Sequence, residues 1–465
     1  MIGLLWRLGE NKPRPGIFVR WINAGGSEPR AVQLGVCATV TQLNWGELNK
    51  PFRVERSQMD NLKEVVGTGV GAEAIRQAFL GGATYVWVLR VGNGGAKGTI
   101  TIKAEEDTKT LVFQTLYETD REYTVITRES IDGKSKDFII MEDGHRLESH
   151  TVETSANEVE ALKESIAKSK YLKFVSGDTT TIPIGITANV TGGKNPTTTA
   201  ENYVSNFETI NKRFWDALFL DTTDKGIKAA ANSFIRRRLE EGGRSLLFLA
   251  TEDPEASVEA SIAEAKTYNS FLTHLIGNGA KTAEVDLKGP LIAARIAGMV
   301  TSTSYKTGAT FGIIDGSVEL IGEPTNAEYG EANENGLMTL SYNPQGFVQI
   351  ERGINTLVSL SEDEDAGWKK IRRVKTRFYL IEEILHKIDK TIRPGVDNSE
   401  DTRAFICQLG DSTIQQMIRD GALSSGKMIV DPERPAKGDS AWFVFKDIVD
   451  LDSLEKVYNT AEFKY

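Results

Sequence analysis

The sequence is poor in the residues that most enzymes and secreted domains depend on. It has two cysteines, Cys37 and Cys407, far apart in a chain of 465 residues. Both sit in apolar stretches (GVCATV and AFICQL). This excludes a disulfide framework and a cysteine-built zinc cluster, and it suits a reducing compartment. The expected role of both is that of a small buried hydrophobe. Histidine is equally scarce. His145, His150, His274 and His386 are the full set, and none falls in an HExxH or HxH arrangement. No stretch approaches the roughly 20 apolar residues a membrane helix needs, so no direct membrane insertion is expected. The N-terminus lacks the basic leader and cleavage site of a secretion signal, and synthesis and folding in the cytosol are expected. The net charge of −10 argues against broad nucleic-acid binding, which depends on cations that neutralise phosphates.

Recognisable catalytic spacing is also missing. The run Gly277-Asn278-Gly279-Ala280-Lys281-Thr282 has an alanine where a phosphate loop needs glycine before the lysine. Gly67-Thr68-Gly69-Val70-Gly71 lacks the glycine spacing of a dinucleotide site and is read as a turn that opens a helix. There is no GxSxG elbow. Acidic pairs such as Glu382-Glu383 and Asp363 with Asp365 are assigned to polar faces. No catalytic residue, cofactor or metal ligand is nominated.

What is present points to a multidomain α/β and α+β protein, its length being enough for several cores. Residues 1–24 read as an N-terminal arm, in which a charged, proline-broken segment leads into the β-prone Ile17, Phe18, Val19, Trp21 and Ile22. Residues 25–95 read as the first part of an α/β core. Residues 96–195 change character to short alternating strands and one helix near 157–170, an inserted, β-rich α+β domain. Alternating βα order resumes over 196–345, which predicts a mostly parallel sheet. A C-terminal domain follows at 346–440. Its long helix carries Trp368, Ile371, Val374, Phe378, Ile381, Leu385 and Ile388 at steps of three and four. Residues 441–465 read as a terminal strand and arm.

One charge feature rises above background. Lys369, Lys370, Arg372, Arg373, Lys375 and Arg377 put six cations into ten residues with no acid among them. The expectation is either a solvated helix face or a contact with an acidic partner surface.

Several stretches in order resemble the contractile-tail sheath family of myophages and phage-tail-like bacteriocins. They are Arg14-Pro15-Gly16-Ile17-Phe18-Val19, then Gly81-Gly82-Ala83, then Ala293-Ala294-Arg295-Ile296-Ala297-Gly298. Ile350-Glu351-Arg352-Gly353-Ile354-Asn355-Thr356-Leu357 with Trp368-Lys369-Lys370-Ile371-Arg372 is the most specific, and Val457-Tyr458-Asn459-Thr460 closes the set. The resemblance implies a structural subunit, not an enzyme. Such subunits stack as hexameric rings into a helical homopolymer around an inner tail tube protein, bounded by baseplate and tail terminator proteins. Assembly in the bacterial cytoplasm and residence in a virion or released particle are implied too. It implies terminal arms that add strands to an adjoining subunit, here Ile17, Phe18, Val19, Trp21 and Ile22 at one end and Val457, Tyr458, Thr460 and Phe463 at the other. The C-terminal domain is placed inward by the same resemblance, making Lys369, Lys370, Arg372, Arg373, Lys375 and Arg377 candidates for touching the tube or a neighbour. The competing readings are an α/β enzyme of unknown reaction and another phage tail structural protein.

Overall fold

The computed structural model describes residues 2–5, 17–19, 35–103, 109–131, 133–392 and 395–463. The chain divides into two compact units. One comprises Met1–Thr39, Ala74–Trp87 and Ile210–Tyr465, and the other Val40–Glu73 and Val88–Thr209.

The first unit is organised by a sheet in which Thr273–Ile276, Leu246–Ala250, Ala217–Leu220, Val36–Thr41 and Tyr85–Arg90 lie side by side in that order. Ala217 pairs with Leu246 and Leu247 with Thr273, both in parallel register. The first four of these strands are buried at every position, which is why they read as unbroken apolar runs and not as alternating ones. Helices Lys225–Glu240, Val258–Tyr268 and Pro290–Ser302 pack against them. Pro290 stands in the first helical turn, where its missing N–H costs nothing.

Two of the motif stretches meet here. Helix Val70–Gly81 approaches Pro290–Ser302 so closely that a Cβ at Gly298 would strike the carbonyl oxygen of Ala78. One at Gly81 would strike the carbonyl oxygen of Arg295. The small residues are there because the two backbones touch.

The stretch from Ile350 to Leu357 has an equally local explanation. The Thr356 backbone N–H donates to Thr273 O at 2.9 Å, tying the segment to the sheet edge. Asn355, 1% exposed, donates through Nδ2 to Trp368 O at 2.6 Å. Ile354 forms a bridge with Lys370. The segment therefore welds the parallel sheet to the start of the long C-terminal helix. Gly277–Thr282, the nearest likeness to a phosphate loop, includes the strand Gly279–Thr282, which pairs antiparallel with Ser317–Ile321. Its geometry is that of an extended ribbon and not of a loop wrapping an anion.

His274 is fully buried in this sheet. Its ring stacks on Phe248 at 4.5 Å, and Nδ1 lies 3.1 Å from Leu247 O. That carbonyl can only accept, so the neutral ring carries its proton on Nδ1. Burial pushes its pKa down from 6.5 to about 4, the hydrogen bond opposing only in part. A histidine whose folded pKa lies below its unfolded value stabilises fully above the unfolded pKa. That stability is lost as pH falls toward the folded one. This site is expected to lose about 1.4 kcal/mol per pH unit between pH ~6 and ~4. Urea midpoints of wild type and His274→Leu across that range check it, since the leucine variant lacks this contribution to the slope.

The second unit holds two antiparallel sheets. One runs Leu172–Gly177, Thr110–Glu118, Lys97–Lys103, and the other His145–Glu153, Ser135–Glu142, Tyr123–Glu129, Ile186–Asn189. Alternate residues Ile100, Ile102, Leu111, Phe113, Val125 and Ile140 build the core with Leu162 and Ile166 of helix Glu158–Ile166. His150 bridges Ser165 Oγ at 2.7 Å and Glu148 at 3.2 Å.

Among the described residues no helix is long and apolar enough to cross a membrane. Cys37 is buried, and its thiol is pushed up to about 12 by burial, against a hydrogen bond from Thr301. Cys407 is only partly buried.

Candidate inter-subunit site

The long helix spans Ile371–Ile392, preceded by a short 3-10 turn at Ala366–Lys369. Its predicted stripe is buried: Trp368, Ile371, Val374, Phe378, Ile381, Leu385 and Ile388 are all under 9% exposed. A second helix, Glu400–Arg419, packs beside it and was not foreseen. Ser399 caps it by accepting from Thr402 N–H. The two helices and the ribbon Leu423–Val430/Phe443–Asp450 close around Tyr379, Ile384, Ile406, Ile414, Met417 and Met428.

That ribbon is a two-stranded antiparallel sheet with no further strand on either outer edge among the described residues. Two strands alone are marginal in water, and their open edges present unpaired backbone groups. Here the helix Glu400–Arg419 supports one face. Gly410 lets the backbone come close to Met428, whose sulfur a Cβ would strike.

The chain leaves the ribbon at Asp450 and continues to Phe463 without helix or strand. Of the residues nominated for a C-terminal arm, Val457 is 66%, Tyr458 88% and Phe463 90% exposed, and Thr460 is exposed as well. Leu454 adds a further exposed apolar side chain at 81%. At the other end, Ile17–Val19 forms a strand in parallel register with Ile2–Leu5. Trp21 and Ile22 lie outside the described residues.

The basic run is neither a solvated face nor bare. All six cations are partly buried, and three of them, Lys370, Arg373 and Arg377, meet carboxylates, among them Asp365, which was expected on a polar face. Arg377 donates twice to Asp365, at 2.9 and 2.8 Å, and contacts Asp450 at 3.3 Å. Its guanidinium also stacks over Trp368 at 4.4 Å. Arg373 Nε donates to Asp450 Oδ2 at 2.6 Å. Lys370 pairs with both Asp452 and Glu455 at 2.8 Å. Arg352, from the motif segment, adds a second cation on Glu455 at 3.3 Å, and Thr310 donates to the same carboxylate at 2.9 Å. Arg372 reaches Ser453 Oγ at 3.4 Å. Lys369 donates to Val358 O, and Lys375 to the carbonyls of Val300 and Thr303.

Burial would raise the Asp365 carboxyl, but Arg377 outweighs it and holds the group below its ordinary value. Desolvation lowers Arg373 and Arg377 from the usual arginine range. Apart from Asp365, the acids that meet these cations stand in the sequence as Asp450-Leu451-Asp452-Ser453-Leu454-Glu455. Their spacing was visible, but nothing in it named the cations they would meet.

Residues 197–356 match the family model of the phage tail sheath protein central domain. No curated protein matches the chain. Among solved structures, a sheath tail protein from Desulfitobacterium hafniense is 19% identical with a TM-score of 0.72, the match covering 94% of this chain and 100% of that one. A sheath tail protein from Listeria innocua is 17% identical at a TM-score of 0.66, covering 90% and 96%. The contracted helical sheath of the anti-feeding prophage is 9% identical at 0.57, covering 98% and 100%. At these identities what is shared is the fold. Residues 197–356 match the phage tail sheath central domain, and the chain shares the fold of these sheath proteins.

Proposed function

We propose that this chain is a polymerising sheath subunit that surrounds an inner tube, and that its lattice is held together by strand addition between copies. The observation that carries the reading is the ribbon Leu423–Val430/Phe443–Asp450. Its two outer edges have no strand beside them among the described residues, while the following segment exposes Leu454, Val457, Tyr458 and Phe463. An extended segment of a neighbour placed along such an edge satisfies its backbone groups and fixes its own side chains in alternate pockets. The N-terminal pair Ile2–Leu5/Ile17–Val19 offers a second source of strand. Each such contact joins unlike surfaces, so it propagates into rings and helices and does not close on a dimer.

Contraction in this reading is a change of packing between copies, with the arms keeping the lattice connected. The work comes from the difference in packing energy and needs no bound fuel. Residues 96–195 are assigned to an outer domain and residues 346–440 to the inner one, with tube, baseplate and terminator proteins as partners. Assembly takes place in the bacterial cytoplasm and the product is part of a tail-like particle.

A chain ending at Glu455 keeps the ribbon and Leu454 and loses the exposed Val457, Tyr458 and Phe463. It is expected to melt within about 2 °C of the full chain, because exposed residues contribute little. It should nevertheless fail to form striated tubes when mixed with the inner tube protein, as seen by negative-stain microscopy and sedimentation. Tubes from the shortened chain as long and abundant as those from the full chain contradict arm-mediated linkage.

A further inference from the structure

We propose that the basic run at the start of the long helix is the anchor of the chain's own C-terminal arm, an ionic clamp that fixes the root from which the arm departs. The clamp joins Asp452 and Glu455 to Lys370 and Arg352. Asp450, fully buried on Arg373 and Arg377, forms its inner end. The carboxylates come from the segment that has just left the ribbon, and the cations come from two elements the motif segment welds to the parallel sheet.

Three observations favour anchoring over a contact with an outside acidic surface. The cations already have acceptors, so a tube surface would have to displace them. Glu455 is only 11% exposed on its side chain while Leu454 beside it is 81% exposed, a change at adjacent residues that marks one side chain held down and the next released. Gly308 and Gly353 keep the floor of this region open. A Cβ at Gly308 would meet Ser453 Oγ at 2.9 Å, and one at Gly353 would meet Thr310 N at 2.9 Å. Thr310, which holds Glu455, is itself held by the Gly353 backbone N–H at 2.9 Å.

The pairs are partly buried, so their Coulomb energy is screened less than that of a surface pair, yet salt still reaches them. The consequence is an arm whose root is ordered at low ionic strength and loosens as salt rises. Past Glu455 the chain is free to reach a neighbour. That destination rests on the function proposed above, whereas the clamp is a property of one chain and is tested on the unassembled subunit.

Chymotrypsin cleavage after Tyr458 reports the clamp, because a protease needs several residues on each side to be released from the surface. Asp452→Lys/Glu455→Lys is expected to speed that cleavage about tenfold, a loosening of the size expected for partly buried pairs. Arg352→Glu/Lys370→Glu in the same chain as the two lysines is expected to restore the rate to within about threefold. Raising NaCl to 1 M speeds cleavage of wild type but does not speed that of Asp452→Lys/Glu455→Lys, in which salt screens repulsion and not attraction. Equal cleavage rates in all four cases overturn the clamp. Restoration obtained only by mixing the two singly reversed chains overturns the assignment within one chain. Sedimentation and circular dichroism of each variant establish that it is folded and unassembled, so failure to polymerise leaves this test intact.

Discussion

Arg121→Ala is expected to cost about 3–5 kcal/mol, the range for removing one partner of a buried ion pair. Arg121 and Glu142 have side chains only 3% and 5% exposed and meet through two hydrogen bonds, Nε to Oε1 at 2.7 Å and Nη2 to Oε2 at 2.8 Å. The guanidinium also lies over the rings of Trp45 and Tyr123, at 5.0 and 5.1 Å. Trp45 in turn meets Tyr117 edge-on at 5.0 Å. The segment around Trp45 is thereby fastened to the two-sheet body of the second unit. Truncation leaves the Glu142 carboxylate buried, with Lys63 at 3.0 Å as its remaining cation.

Glu142→Gln tests the electrostatic part separately, since the amide oxygen still accepts from Arg121. Burial alone would raise the Glu142 carboxyl, but Arg121 and Lys63 hold it below its ordinary value. Its stabilisation is therefore present above the unfolded carboxylate pKa and is lost as pH falls through the folded one. Denaturant midpoints of the two variants at pH 7 order them. The alanine should lie well below the glutamine, and a reversed order would mean that leaving the Arg121 charge without its carboxylate costs more than losing the guanidinium and its ring contacts together.

The second large effect is at the helix crossing. Gly298→Val is expected to destabilise by about 3 kcal/mol or more, at the upper end for overpacking. The Cβ would fall on the carbonyl oxygen of Ala78 and close to its Cα. Backbone atoms inside a helix cannot step aside as the end of a flexible side chain can. Gly81→Val meets the same helix from the other side, at Arg295 O. Because both substitutions push the same pair of backbones apart, the double variant should lose less than the sum of the single losses. Urea midpoints of the three chains read this directly. A loss under about 0.5 kcal/mol at either position would mean that the helices are not in contact there.

The sequence disclosed most where one signal decides the outcome. Buried parallel strands announce themselves as unbroken apolar runs, as ALFL at 217–220 and LLFLA at 246–250 show. The long helix was legible because Ile371, Val374, Phe378, Ile381, Leu385 and Ile388 hold one spacing over several turns. Of the stretches that carry the family resemblance, three acquire physical reasons. Gly81 and Gly298 mark one helix contact, and Asn355 and Thr356 mark one weld.

What stayed hidden depends on partners distant in sequence. Helix Glu400–Arg419 buries Ile406, Gly410, Thr413, Ile414 and Met417, but Gly410 and Thr413 are poor apolar signals and Phe405 is 48% exposed, so the stripe is blurred. Strand Leu423–Val430 reads LSSGKMIV, too polar at its start to stand out. Asp365, read as a polar-face acid, is bound by Arg377. The basic run and the acidic tail were each visible as charge. Charge alone does not say what it pairs with when Lys370, Arg373 and Arg377 stand 73 to 85 positions before the Glu455 and Asp450 carboxylates they meet.

If copies of this chain are linked by strands laid along the open ribbon, a helical reconstruction of the polymer formed by the full chain with the inner tube protein will show it. The expected result is a third strand, contributed by a neighbouring copy, hydrogen-bonded along the outer edge of Leu423–Val430 or Phe443–Asp450. A polymer in which both edges face solvent, with neighbours joined through other surfaces, would contradict it.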